Sequence, residues 1–143
     1  MKNVSIVGVL VGSVIDVLTS IVLGLPFGLY ALSKVDLAHT PKDQIQSAIA
    51  AAMHGNAVLY LAQLFVGLAC SILGGFIAAF IAKRMELLNG ALSSFLCVGG
   101  GIFIMITGKG SDPIIIQVLL LIASPLMGLL GGYLRFLQVR STH

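Results

Sequence analysis

The stretch VSIVGVLVGSVIDVLTSIVLGLPFGLY, residues 4–30, decides the fold class because it is long and apolar enough to cross a membrane. About 20 apolar helical residues span a hydrocarbon core of roughly 30 Å, whereas a signal peptide has a shorter apolar run. We therefore expect a retained transmembrane helix. An acid interrupts it: Asp16 lies about 18 Å from Val4 along such a helix, near the middle of the span.

The composition of the whole chain extends this interpretation. Of its 143 residues, 58% are hydrophobic and only 9% are charged, and the mean hydropathy is +1.09. Soluble domains carry about 25% charged residues. Three further apolar stretches follow the first, at residues 55–82, 89–107 and 113–137. The sequence thus predicts an all-α integral membrane protein whose four transmembrane helices form one antiparallel bundle, a single domain over residues 1–143.

The longest stretch between these spans, residues 33–54, carries a helix-start pattern. Thr40 supplies a side-chain cap, Pro41 needs no amide partner, and Asp43 suits the positive end of a helix dipole. Apolar residues then recur at helical spacing. We expect a short amphipathic helix over about residues 41–53, on the outer side of the membrane.

The distribution of basic residues predicts the orientation. One side of the predicted topology holds five of the eight Lys and Arg residues, namely Lys2, Lys83, Arg84, Arg135 and Arg140. The other side holds three, each balanced by a nearby acid: Lys34, Lys42 and Lys109. By the positive-inside rule, both termini lie in the cytoplasm. The cytoplasmic group at Lys83, Arg84, Arg135 and Arg140 can also hold anionic lipid headgroups.

Small residues recur every fourth position within the spans and predict helix packing, because membrane helices associate through close backbone approach. Span one has such a stripe, span two a second and span four a shorter one: Gly8, Gly12, Asp16, Ser20 and Gly24; Gly67, Ser71 and Gly75; Gly128 and Gly132. Three consecutive glycines in span three, residues 99–101, fit tight packing, a pivot or a very close crossing. The related segments LGGFI at 73–77 and LGGYL at 130–134 fit either an internal duplication or chance.

Asp16 is the candidate for chemistry, since an acid deep in a membrane is costly and marks a functional hypothesis by default. No Lys, Arg or His lies at the same depth in another span, so we expect the carboxyl to be protonated or to contact trapped water. Two interpretations stay open. Asp16 is a proton- or ion-linked residue, or a protonated carboxyl that joins helices through hydroxyl partners such as Ser13, Thr19, Ser20, Ser71 and Ser124.

Other polar residues give weaker signals. An outward-opening polar cavity is one interpretation of Gln63, Gln117 and Asn56, and interhelical amide bonding is the other. The two cysteines, Cys70 and Cys97, fit small packing residues. No metal-ligand spacing, nucleophile motif or phosphate-binding loop is present, so we expect no metal, no cofactor and no enzyme. No basic patch indicates nucleic-acid binding.

A helix end and turn at residues 74–96, GGFIAAFIAKRMELLNGALSSFL, carries a recognisable arrangement. A Gly-Gly-aromatic-aliphatic-Ala-Ala segment leads through basic residues to an Asn-Gly start of the next span. It resembles small bacterial four-span inner-membrane proteins of unknown function through Gly74, Gly75, Phe76, Ile77, Ala78, Ala79, Lys83, Arg84, Asn89 and Gly90. The resemblance implies a bacterial inner-membrane location and no particular activity.

Two functional hypotheses follow. The first is a non-catalytic membrane protein that acts through helix contacts, as an accessory subunit, a toxin-neutralising immunity protein or a self-associating scaffold. Its partners are the lipid bilayer and either copies of itself or another membrane protein. The alternative is a small oligomeric transporter or channel that uses Asp16, because four spans leave little interior for a private substrate path.

Overall fold

The computed structural model describes residues 4–83, 85–108 and 112–141, in which every regular element is an α-helix. In chain order the helices are α1 Ile6–Leu32, α2 Ile45–His54, α3 Ala57–Ala82, α4 Glu86–Leu92, α5 Phe95–Thr107 and α6 Ile114–Arg140. The all-α class is confirmed. Four segments are long and apolar enough to cross a membrane: α1, α3, α4 together with α5, and α6.

The helix in the longest connection begins later than predicted. α2 starts at Ile45, and its amino-terminal flanking residue makes no side-chain cap. The expected cap is absent because the Thr40 hydroxyl donates instead to the carbonyl of Asp36, at 2.6 Å. Asp36 also accepts the amide of Ala38 at 3.1 Å. Residues 36–40 therefore form a side-chain-stabilised turn, which competes with a helix start at Pro41.

The third span is broken where a continuous helix was expected. It starts at Glu86, earlier than the predicted residue 89, and a turn at Ser93 and Ser94 separates α4 from α5. Both serines are fully buried. The Ser93 hydroxyl donates to the carbonyl of Gly90 at 2.7 Å, which offers the backbone an alternative to the helical ladder. The glycines at 99–101 lie inside the continuous helix α5.

The described chain divides into two compact units. The first contains the chain up to Thr19 and the chain from Leu68 onward, and the second runs from Ser20 to Gly67. In the second unit, Ala31 and Met53 are buried. The rings of His54 and Tyr60 lie 4.8 Å apart in the same unit.

In the first unit, glycines bring helix backbones into contact. A Cβ atom at Gly8 would lie 2.8 Å from the carbonyl oxygen of Ala78, and one at Gly12 would lie 2.6 Å from that of Gly74. Residue numbers rise along α1 as they fall along α3, so these segments run antiparallel. Contacts of Gly132 with Glu86, and of Gly128 with Gly90, show the same relation between α6 and α4.

Each Gly-Gly pair in α3 and α6 faces two neighbours at once. Gly74 abuts α1 at Asp16, whereas Gly75 abuts α6 at Gly128. In α6, Gly131 abuts α3 at Ile72, and its neighbour Gly132 abuts α4. Adjacent residues of a helix point about 100° apart, so a glycine pair lets one helix approach two others closely. The LGGFI and LGGYL segments therefore have the same packing role: each lets its helix contact two neighbouring helices.

The polarity of the described residues is inverted relative to a soluble protein. The largest fully buried side chains are Asn89, Asp16, Cys70, Ser13, Ser93 and Ser94. Large apolar side chains are exposed on every candidate span, for example Ile21, Phe65, Ile106 and Leu119. Soluble proteins bury such residues and expose polar ones. Small and polar residues thus form the core, and aliphatic and aromatic residues form the outer surface.

Candidate functional site

Asp16 is fully buried at the contact between α1 and α3. It follows Gly12 by one helical turn, which places it on the same face of α1. The missing side chain of Gly74 makes room for it: a Cβ atom there would lie 2.7 Å from the Cβ of Asp16. Asp16 is ten residues beyond Ile6, or about 15 Å into the helix. The position of Asp16 near the middle of the membrane stays a prediction.

Hydrogen-bond donors from two other helices reach the carboxylate. The Ser71 hydroxyl on α3 lies 3.1 Å from Oδ2 of Asp16 and 3.4 Å from Oδ1. The Cys97 thiol on α5 donates to Oδ2 at 3.3 Å. The Asp16 carboxyl therefore joins α1, α3 and α5 at one point.

A serine on α6 extends this group. The Ser124 and Ser71 hydroxyl oxygens lie 3.5 Å apart, and either one can donate. When Ser71 donates to Asp16, its oxygen is left to accept from Ser124. The carbonyl of Ser124 accepts the Ser94 hydroxyl at 3.0 Å, which ties in the turn between α4 and α5. We call Asp16, Ser71, Cys97 and Ser124 the carboxyl cluster.

A second group of polar side chains lies nearer the start of α1 and forms hydrogen bonds with backbone groups. Its members are Ser5, Asn89 and Ser13. Asn89 Oδ1 accepts the amide of Ser5 at 2.9 Å, while Ser5 Oγ accepts the amide of Gly8 at 3.0 Å and caps the helix. The Ser13 hydroxyl lies close to the carbonyl of Ser93 at the break of the third span. These contacts satisfy backbone groups that a helix end or break leaves free. Their arrangement is structural.

The structure distinguishes among the hydroxyl partners suggested for Asp16. Ser71 contacts the carboxylate directly, Ser124 contacts it through Ser71, and Ser13 is directed to backbone carbonyls. Sequence reasoning assigned Cys97 to packing and so missed its contact with Asp16. It also did not predict that Asn89, Ser93 and Ser94 are buried. Three polar residues near the start of an apolar span could have indicated a buried polar contact there.

Two of the three amide residues proposed to line a polar cavity, Asn56 and Gln117, make local contacts. Asn56 Oδ1 accepts the amide of Leu59 at 3.2 Å, close to the start of α3. Gln117 Nε2 donates to the carbonyl of Asp112 at 2.6 Å, and Gln63 is exposed. The cavity stays a prediction.

The predicted packing residues fall into two environments. Most of them face a neighbouring helix of the first unit: Gly8, Gly12, Ser71, Gly75, Gly128 and Gly132. Ser20 is half-buried. Beside Gly67 there is open space, since a Cβ atom there would meet nothing within 4 Å.

Three of the basic residues predicted to face the cytoplasm, Lys83, Arg135 and Arg140, lie at or near the ends of α3 and α6. The guanidinium of Arg135 lies 4.6 Å from the ring centre of Phe80 and donates to Gln138 at 2.7 Å. Arg140 lies 5.8 Å from the ring centre of Phe136, and Lys83 is exposed. Lys2 and Arg84 lie outside the described residues. Binding of lipid headgroups by this group stays a prediction.

Comparison with protein-family models, with curated proteins and with solved structures finds no match to this chain.

Proposed function

We propose that this is an integral membrane protein of the bacterial inner membrane, with four transmembrane helices in one antiparallel bundle and both termini in the cytoplasm. The inverted polarity supports membrane insertion, because exposed apolar side chains suit lipid tails better than water. The split of basic residues supports the orientation. In this arrangement α2 is a short helix on the outer side.

We further propose that the protein acts without catalysis, through helix contacts with copies of itself or with another membrane protein. The supporting observation is a set of glycines with open space where a side chain would be: Gly24, Gly28, Gly67, Gly99 and Gly100. Glycine weakens a helix, but it allows the backbone of another helix to come close. These positions suit an accessory subunit, an immunity-type protein or a self-associating scaffold.

Affinity capture of the tagged protein in mild detergent tests this role. We expect a stoichiometric partner or a homo-oligomer, and we expect Gly99→Leu or Gly100→Leu to disrupt it. The matched control is Ile106→Leu, a conservative change at an exposed position of the same helix. A monomer with no stoichiometric partner, or a complex that tolerates Leu at all five glycines, would rule out the helix-contact role.

A second candidate function is a small oligomeric transporter or channel in which Asp16 is linked to a proton or an ion. The carboxyl cluster favours it, because a fully buried acid near mid-span is rare unless it takes part in such a pathway. Ion or proton flux through reconstituted protein tests this candidate. Asp16→Asn should abolish the flux while leaving the fold intact, and equal flux in the two proteins would exclude it.

A further inference from the structure

Arg135 on α6 is held against the neighbouring helix α3. Its guanidinium carbon lies 4.6 Å from the ring centre of Phe80 on α3, a favourable contact between a cation and an aromatic ring. One guanidinium nitrogen donates to the side-chain oxygen of Gln138, about one turn later on α6, at 2.7 Å. The ring and the amide therefore fix the guanidinium beside the end of α3.

The positive charge of Arg135 is not matched by an acid of the described chain. Within residues 4–83, 85–108 and 112–141, no carboxylate forms an ion pair with Arg135, Arg140 or Lys83. Glu86, at the start of α4, is the acid closest to Lys83 in the sequence, and it makes no ion pair with these residues either. The described residues at this end of the first unit therefore carry an excess of positive charge.

Most hydrogen-bond donors of Arg135 are left for a ligand. A guanidinium carries five N–H groups in one plane, and among the described residues the acceptor for Arg135 is Gln138 alone. Two parallel N–H groups of this plane match two oxygens of a phosphate group, which an ammonium group cannot match in the same way. The chemistry of Arg135 therefore suits a phosphate ligand.

In the proposed membrane arrangement, Phe80 places this guanidinium close to a membrane surface. The connection between α3 and α4 joins two candidate spans, so it lies at one face of the bilayer. Phe80 precedes the end of α3 by two residues, or about 3 Å. Its side chain is exposed, and so are Leu134 and Leu137 on either side of Arg135 in the sequence. A phosphate at Arg135 would therefore have apolar side chains nearby, which suit the acyl chains of a lipid.

From these observations we propose that Arg135, held by Phe80 and Gln138, binds the phosphate of an anionic phospholipid. An anionic headgroup neutralises the excess positive charge of this helix end, whereas a zwitterionic headgroup brings its own cation and leaves the excess in place. The inference rests on the proposed membrane insertion and names one lipid partner. It assigns this lipid to a defined position, the contact between α3 and α6 at Phe80 and Arg135.

A single tryptophan at residue 80 tests which lipid lies there. The chain contains no Trp, so Phe80→Trp introduces the only one and keeps an aromatic ring beside Arg135. The full-length variant is reconstituted in mixed vesicles of phosphatidylglycerol and phosphatidylcholine, with brominated acyl chains on one lipid at a time. Bromine quenches Trp fluorescence on contact, so the two series give the relative affinity of anionic and zwitterionic lipid. The control is Phe95→Trp, at an exposed position of α5.

We expect Phe80→Trp to favour the anionic lipid by about fivefold, the factor that one Arg near an anionic membrane surface contributes. Phe95→Trp should show no preference. Adding Arg135→Gln to Phe80→Trp should remove the preference. Adding Arg140→Gln instead removes the same charge about 140° further around α6, so most of the preference should remain.

Equal affinity for the two lipids in Phe80→Trp, or equal losses from Arg135→Gln and Arg140→Gln, would overturn the proposal and leave membrane insertion standing. Absence of quenching by either lipid in both Trp variants would reject membrane insertion itself. Loss of the preference in inorganic phosphate, but not in sodium chloride of the same ionic strength, would identify free phosphate as the ligand and overturn the assignment to a lipid.

Discussion

The Ser71 hydroxyl on α3 lies within hydrogen-bonding distance of both carboxylate oxygens of Asp16 on α1, at 3.1 Å from Oδ2 and 3.4 Å from Oδ1. The same two helices touch directly through Gly12 and Gly74. Polar contact and backbone contact therefore lie within about one turn of each other. Substitutions can separate their contributions, because one depends on a carboxyl group and the other on the lack of a side chain.

Substitution of Asp16 separates its polar role from its shape. Asp16→Asn keeps a hydrogen-bonding group of the same size, so we expect a near wild-type free energy of unfolding. Asp16→Leu removes the polar contacts and should lower it by about 0.6 to 2 kcal/mol, the usual size of hydrogen bonds between membrane helices. Unfolding in detergent micelles measures both, with Val14→Leu at an exposed position of α1 as control. Complete loss of folding in Asp16→Asn would contradict this.

A double-mutant cycle measures the contact between Ser71 and Asp16. Ser71→Ala and Asp16→Leu should be non-additive by about 0.6 to 1.7 kcal/mol, because either substitution alone already removes their hydrogen bond. Ser71→Ala combined with Ser13→Ala should be additive, since Ser13 donates to Val9 and not to Ser71. The free energy of unfolding is the measurement. Additivity in the first pair would show that the contact between Ser71 and Asp16 does not contribute to the free energy of unfolding.

The glycine contacts predict that a Gly→Ala substitution affects stability very differently at two positions. A methyl group at Gly75 would overlap the backbone of Gly128, whereas one at Gly28 would enter open space. We expect Gly75→Ala to lower the free energy of unfolding by about 1 to 3 kcal/mol through overpacking. Gly28→Ala should be neutral or stabilising, because Ala favours a helix over Gly by about 1 kcal/mol. Equal stability of the two variants would mean that α3 and α6 are not in contact.

The proposed orientation predicts where reporter fusions will be found. A fusion after the last residue should report the cytoplasm, and one inserted at residue 40 should report the outer side. The physical reason is the excess of Lys and Arg on the side of the termini. An externally reporting carboxyl terminus would eliminate the arrangement with four spans and both ends inside.

The turn between α3 and α4 contains avoidable strain. Met85 has a φ of 48°, in the left-handed region that costs a side chain about 1 to 2 kcal/mol. Met85→Gly relieves this cost but adds chain entropy to the unfolded state, so we expect a net gain of about 0.5 kcal/mol. Leu88→Gly in the neighbouring helix should instead lose about 1 kcal/mol. Thermal unfolding of the two variants gives the comparison.

The sequence was sufficient for the helical class, which length and hydropathy determine. α1 and α3 begin and end within two residues of the predicted spans, whereas α6 runs three residues past the predicted end at 137. The small-residue spacing likewise identified Gly12 and Gly75 as packing positions. These features depend on local composition and periodicity, which a single chain displays directly.

Other features depend on which helices meet, and the sequence does not display this. Ser93 and Ser94 break the third span because their hydroxyls find backbone carbonyls on their own and neighbouring helices. Cys97 joins the carboxyl cluster because α5 brings its thiol to Asp16. Thr40 had the pattern of a cap, but the nearby Asp36 carbonyl offered its hydroxyl a different partner. In each case a hydrogen bond to one particular partner, which the sequence pattern does not reveal, determined the local structure.

The break at Ser93 and Ser94 also bears on how the protein is made. α4 has 7 residues and α5 has 13, or about 10 and 20 Å of helix, so neither crosses a bilayer alone. The segment they form is also the least apolar of the four candidates. One of its packing partners, α6, leaves the ribosome later. We therefore expect the third and fourth segments to enter the lipid together as a hairpin, and a chain that stops at residue 112 to leave the third segment outside the membrane.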